Sequence, residues 1–122
     1  MLKSQFFIRK RILYLRLKGE LDEESIELVR TRVTNLINNY KILFLVINCQ
    51  ELTFMDSTGI GFILGRYKEL RRVGGKVVLC EANELVYRII SISGLNRIIT
   101  YKRTEEEANE YLEGYSGKIC AL

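Results

Sequence analysis

Six consecutive apolar residues, Ile42-Leu43-Phe44-Leu45-Val46-Ile47, constrain this chain more than any other stretch. The run is short and rich in branched side chains, which predicts a strand covered on both faces. Such a strand needs helices above and below it, and the rest of the chain alternates in the matching rhythm. With 122 residues, 48% of them hydrophobic, one domain can build that core without disulfides or a metal.

Gln5 to Arg9 and Ile12 to Lys18 read as strands joined by a tight basic turn. In the second, Ile12, Tyr14 and Arg16 alternate with Leu13, Leu15 and Leu17, so the two sets belong to opposite faces. Gly19-Glu20-Leu21-Asp22 leads into a helix from Glu23 to Asn38, with Asp22 placed to accept hydrogen bonds from its first free amides. Ile26, Val29, Val33, Leu36 and Ile37 recur there at helical spacing. After the apolar strand, Asn48 to Asp56 reads as a polar loop. A second helix is predicted from Ser57 to Val73, with Ile60, Ile63, Leu64, Tyr67 and Leu70 on one side and Gly74-Gly75 at its end.

Lys76 to Cys80 is a further strand, Asn83 caps a helix from Glu84 to Ile92 that stops near Gly94, and Ile98 to Tyr101 is the last strand. Thr104 with Glu107 forms a capping box for a final helix ending near Gly114. The predicted fold class is α/β: a single domain over residues 1–114, a small, mainly parallel mixed sheet and about four helices. Residues 115–122 are expected to be a frayed tail.

Composition removes several kinds of chemistry. There is no histidine, so a Ser-His-Asp triad and imidazole metal sites are excluded. Cys49, Cys80 and Cys120 are odd in number and far apart, which argues against a disulfide framework and for a reduced, cytoplasmic compartment. No catalytic residue, metal or cofactor is expected. Arg9-Lys10-Arg11 interrupts the only early apolar stretch, so no signal peptide is expected, and no apolar run approaches the ~20 residues that span a bilayer. Net charge is +4, with basic clusters at Arg9-Lys10-Arg11 and along Arg66, Lys68, Arg71, Arg72 and Lys76. These read as a solvated basic face, without a direct nucleic-acid or membrane partner.

In open α/β sheets, partners and ligands meet the loops at the carboxyl ends of the strands. Here that loop reads Thr53-Phe54-Met55-Asp56-Ser57-Thr58-Gly59-Ile60-Gly61. It puts Ser57 at the start of a helix, where free amides and the helix dipole favour negative charge. A phosphoryl group there would add about −1.5 to −2 charges and meet any partner docked on the loop. Asp56 or Ser57 as a plain N-cap remains an alternative, and physics alone does not choose between the hydroxyls of Ser57 and Thr58. Gly61 and Gly65 share a helical face and are expected to let the helix pack closely on the sheet. Gly59, Gly61 and Gly65 also allow a small nucleotide-binding protein as an alternative reading.

Taken together, Gly19-Glu20-Leu21-Asp22, Phe54 to Gly61, Gly65-Arg66-Tyr67-Lys68, Gly74-Gly75 and Ser93-Gly94-Leu95 resemble the bacterial anti-sigma factor antagonists of the sulfate-transporter/anti-sigma-antagonist (STAS) domain family. The Gly-Arg-Tyr-Lys segment and the Val78-Leu79-Cys80 strand are most similar to the sporulation sigma F branch. Ser91 departs from the acidic residue that the family often carries before Ser-Gly-Leu. The resemblance implies a protein that is not an enzyme and that binds an anti-sigma factor which is also a serine kinase. Phosphorylation of Ser57 by that kinase would end binding, and a metal-dependent serine phosphatase would restore it. Asp22, Asp56, Ser57, Thr58, Gly59 and Arg66 are the implied docking residues.

Overall fold

A two-residue turn at Lys10-Arg11, with Lys10 in the left-handed region (φ 58°), folds β1 (Lys3–Arg9) antiparallel onto β2 (Ile12–Leu21). The computed structural model describes the backbone of residues 2–120 and the side chains of residues 2–115. From β2 the chain crosses through α1 (Ile26–Asn39) to β3 (Phe44–Met55), which lies parallel beside β2. Helix α2 (Ser57–Arg71) leads to β4 (Lys76–Cys80), parallel to β3. Helices α3 (Glu84–Ser93) and α4 (Leu95–Ile98) then lead to β5 (Thr100–Lys102), parallel to β4. The five strands therefore stand in the order β1-β2-β3-β4-β5, a mixed sheet with one antiparallel edge, and α5 (Glu105–Cys120) closes the chain.

The alternation in β2 sorts its side chains as expected. Leu13, Leu15 and Leu17 join the larger core beneath α1, α2 and α3, with Val33, Phe62, Ile63 and Ile90 among its members. Ile12 and Tyr14 join a smaller core on the other face, under Ala108 and Leu112 of α5. Strand β3 sends Leu45 and Ile47 to the first core and Phe44 and Val46 to the second, so it is buried on both faces. Gly75 is required where it stands, because a Cβ would lie 1.9 Å from the Leu43 carbonyl oxygen.

Several boundaries differ from expectation; β1 starts at Lys3, β3 at Phe44, and α2 ends at Arg71. Asn48 to Met55 is strand rather than loop, because β2 also runs on to Leu21 and pairs with it beyond the end of β4. With a single neighbouring strand there and register shifts on either side of Lys18-Gly19, polar side chains replace the apolar run. Helix α1 starts at Ile26, since Asp22 to Ser25 form a turn first. Leu95–Ile98 is a fifth helix, which moves the last strand to Thr100–Lys102. Helix α5 continues to Cys120, past Gly114. The tail expected over 115–122 runs partly outside the described residues.

Candidate functional site

The ends of β2 and β3 and the start of α2 converge at one end of the sheet. Asp56 keeps an extended backbone as the N-cap of α2, and its Oδ1 accepts hydrogen bonds from the amides of Thr58 (2.9 Å) and Gly59 (3.1 Å). Its own amide donates to the Leu21 carbonyl (3.3 Å), and its carbonyl accepts from the Ile60 amide (3.0 Å). Gly59 is buried in this corner: a Cβ there would stand 2.6 Å from the Leu21 oxygen. Only glycine lets the first turn of α2 settle so closely on the end of β2. Asp56 and Gly59 together fix the direction in which α2 departs, and Ser57, its first residue, is left exposed.

Neighbouring side chains brace the same corner. The Thr53 hydroxyl donates to the Gly19 carbonyl (3.0 Å). Asn83 donates through Nδ2 to the Leu52 carbonyl (2.9 Å), while its Oδ1 accepts from the Val86 amide (2.9 Å) at the start of α3. Leu21 pairs with Met55 at the ends of β2 and β3, so Asp22 and Asp56 each follow directly where adjacent strands end. Asp22 Oδ1 accepts from the amides of Glu24 and Ser25, both at 3.1 Å, which holds the turn before α1. With exposed Glu20, Glu23 and Glu24 close in sequence, this end of the molecule is rich in negative charge before any modification.

Asp22, Asp56, Ser57, Thr58 and Gly59 are thus brought together, though not in equal roles. Ser57 is exposed and Thr58 half-buried. Gly59 shapes the site from beneath. Arg66 lies farther along α2 with its side chain only 13% exposed, its guanidinium 5.2 Å from the Phe62 ring centre. Its Nε is 3.5 Å from Glu69 Oε1, close enough for attraction but misaligned for a hydrogen bond. Arg66 therefore packs largely against Phe62, farther along α2 than the residues of the loop. Gly61 and Gly65 also differ from expectation, since open space surrounds the Cβ position of each, and the close approach to the sheet is made by Gly59.

The corner offers little to a nucleotide. The amides that a glycine-rich phosphate loop would present at Thr58 and Gly59 already serve Asp56. The thiols of Cys49 and Cys80 are also poor nucleophiles: burial pushes Cys49 up to about 12, and pushes Cys80 up as well. Among the described residues, no group of His, Cys, Asp and Glu is placed to hold a metal ion. Two residues were not singled out for this site from the sequence. Phe54 is 41% exposed beside the loop, and an aromatic within a polar stretch was its signal. Asn83 was recognised as a helix cap, but its bond to β3 depends on tertiary structure.

The STAS domain family matches residues 5–108. The anti-sigma F factor antagonist of Paenibacillus polymyxa is 37% identical over 102 residues, spanning 84% of this chain and 87% of that protein. The anti-sigma factor antagonist SpoIIAA in its unphosphorylated form superposes with a TM-score of 0.74 at 28% identity, covering 92% of this chain and 99% of that one. The Bacillus cell fate determinant SpoIIAA in the phosphorylated form gives 0.71 at 31% identity, covering 90% and 99%. The chain belongs to the STAS domain family.

Proposed function

We propose that this STAS domain protein is an anti-sigma factor antagonist switched by phosphorylation of Ser57. In the unphosphorylated form it binds an anti-sigma factor that is also a serine kinase, and so frees a sigma factor, that of the sporulation sigma F branch. The kinase transfers the γ-phosphoryl group of ATP to Ser57 Oγ, with ADP leaving and the hydroxyl proton lost. A metal-dependent serine phosphatase removes the group by hydrolysis. The protein works in the cytoplasm, through its domain over residues 1–114, and performs no catalytic step of its own.

The observation that carries this reading is the exposed Ser57 at the first residue of α2, set on a rigid corner between Asp56 and the end of β2. Asp22, Asp56 and Thr58 surround it as docking residues, with Gly59 beneath them. New negative charge on Ser57 adds to an already acid-rich end and repels whatever docks there. The similarity to proteins named anti-sigma F factor antagonists supports the choice of partner.

The test is to incubate the protein with an anti-sigma F kinase and ATP, then locate added mass by peptide mass spectrometry. One phosphoryl group on Ser57, absent from Ser57→Ala, is the expected result. Modification at another position, or none, would sink the proposal. Binding of the phosphorylated protein as tight as that of the unmodified one would sink the repulsion mechanism alone.

A further inference from the structure

The opposite end of the sheet, where the parallel strands begin, has the opposite charge. Lys10 and Arg11 of the hairpin turn lie beside Lys41 of the α1–β3 connection, and Arg72 ends α2 at the same end of the sheet. Backbone bonds lock these segments together: the Leu43 and Phe44 amides donate to the Arg11 carbonyl at 2.9 and 3.1 Å, and the Lys76 amide donates to the Leu43 carbonyl at 3.2 Å. Arg11 Nε donates to the Lys41 carbonyl at 3.0 Å. Among the described residues, Lys10, Arg11, Lys41 and Arg72 form no ion pair, and the nearby Arg9 is paired with Glu113 at 3.2 Å.

Two further features need a reason. Lys10 and Lys41 both hold left-handed backbones, at φ 58° and 50°, where glycine or asparagine would sit at lower cost. Lysine at both turns places charge where conformation alone would not. Apolar side chains also stand out at this end: Tyr40 beside Lys41 is 58% exposed, Val73 beside Arg72 63%, and Ile98, just before β5, 53%. A nucleic acid would use cations and several aromatic faces, since bases stack on rings, and a single ring, Tyr40, stands beside Lys41 here. Aliphatic tips such as Val73 and Ile98 suit the boundary between lipid headgroups and acyl chains instead.

We propose that this basic end docks on an anionic phospholipid surface, with the Ser57 end turned towards solvent. No described helix is long and apolar enough to cross a membrane, and docking of this kind needs none. The expectation of no membrane partner rested on reading the basic clusters as a solvated face and on the lack of a spanning segment, and the second bears on insertion alone. This inference stands apart from the role of Ser57.

The full chain would be sedimented with vesicles of mixed phosphatidylglycerol and phosphatidylcholine, and with phosphatidylcholine alone, at low and at high salt. Binding is expected to the mixed vesicles, weakened by salt, and weakened about fivefold for each cation removed in Lys10→Gln and Lys41→Gln. Val73→Ser should also weaken it. Equal partition onto both vesicle types, or no binding at low salt, overturns the proposal. So does unchanged vesicle binding by Val73→Ser together with tighter binding to a single-stranded oligonucleotide, which would make this end a nucleic-acid surface.

Discussion

The two faces of the sheet are buried by different means. On one, α1, α2 and α3 close over Leu13, Leu15, Leu17, Leu45 and Ile47 in a large apolar core, with polar bonds at the sheet's end through Asp56 and Asn83. On the other, α5 covers Ile12, Phe44, Val46 and Val78 and is pinned by polar groups. The Tyr14 hydroxyl donates to Asn109, and Arg16 grips Glu105 through two bonds of 2.7 and 3.1 Å. Asn48 Nδ2 donates to the same carboxylate at 2.8 Å. The Lys76 ammonium lies 4.8 Å from the Tyr115 ring centre. Apolar burial is strong but non-directional, whereas hydrogen bonds fix position. The first face therefore supplies most of the stability, and the second sets where one helix lies. Ser57 rides on the first, at the end of a helix whose start is fixed by Asp56 and Gly59.

The sharpest way to break this comparison is to cut one side chain from each face. Phe62→Ala removes a fully buried ring from the larger core and should cost about 3–5 kcal/mol in urea unfolding. Leu112→Ala, beneath α5, should cost about 2 kcal/mol, near the low end for such changes, because a single covering helix can settle into the gap. Equal losses would mean that the faces share the load.

A smaller effect tests the polar pins. The Arg16 guanidinium beside Glu105 holds that carboxyl below its ordinary range, with help from Asn48 and against the opposing effect of burial. A carboxylate lowered in the folded state stabilises above its unfolded pKa, and that contribution is lost as pH falls through the lowered value. Glu105→Gln should therefore cost about 1 kcal/mol at neutral pH and lose this part of the acid sensitivity, a modest sum because the pair is partly solvated. Parallel stability–pH curves for variant and wild type would remove Glu105 from the set of pins.

The smallest effect belongs to the proposed switch residue. Ser57→Ala should change stability by less than about 0.5 kcal/mol, since its side chain is exposed and Asp56 supplies the cap. A loss above 1 kcal/mol, read from the same urea curves, would make Ser57 a structural residue.

Much of this was legible in residues that answer to local rules. The two-sided strand within the apolar run, from Phe44 on, the alternating faces of β2, and the caps at Asp56, Asn83 and Thr104 follow from periodicity and side-chain chemistry. What stayed hidden depends on distant neighbours. Gln50, Glu51 and Thr53 look like a loop because their strand has a partner on one side only. Three glycines of α2 look alike in sequence, yet only Gly59 meets the end of β2, a contact set by how far β2 extends. Arg66 carries a charge that reads as surface, but it sits on the inward side of α2 and lies against Phe62.

Asp56 spends its carboxylate on the two amides that open α2. A phosphoryl group on Ser57, as proposed, thus finds the Thr58 and Gly59 amides already engaged and has no vacant donors there to draw it inward. The domain then keeps one shape and nearly one unfolding free energy in both states. The coupling energy of the modification resides almost wholly in the complex with the partner. The covalent mark is stored as a field around an unchanged body, and reading it requires another molecule to approach.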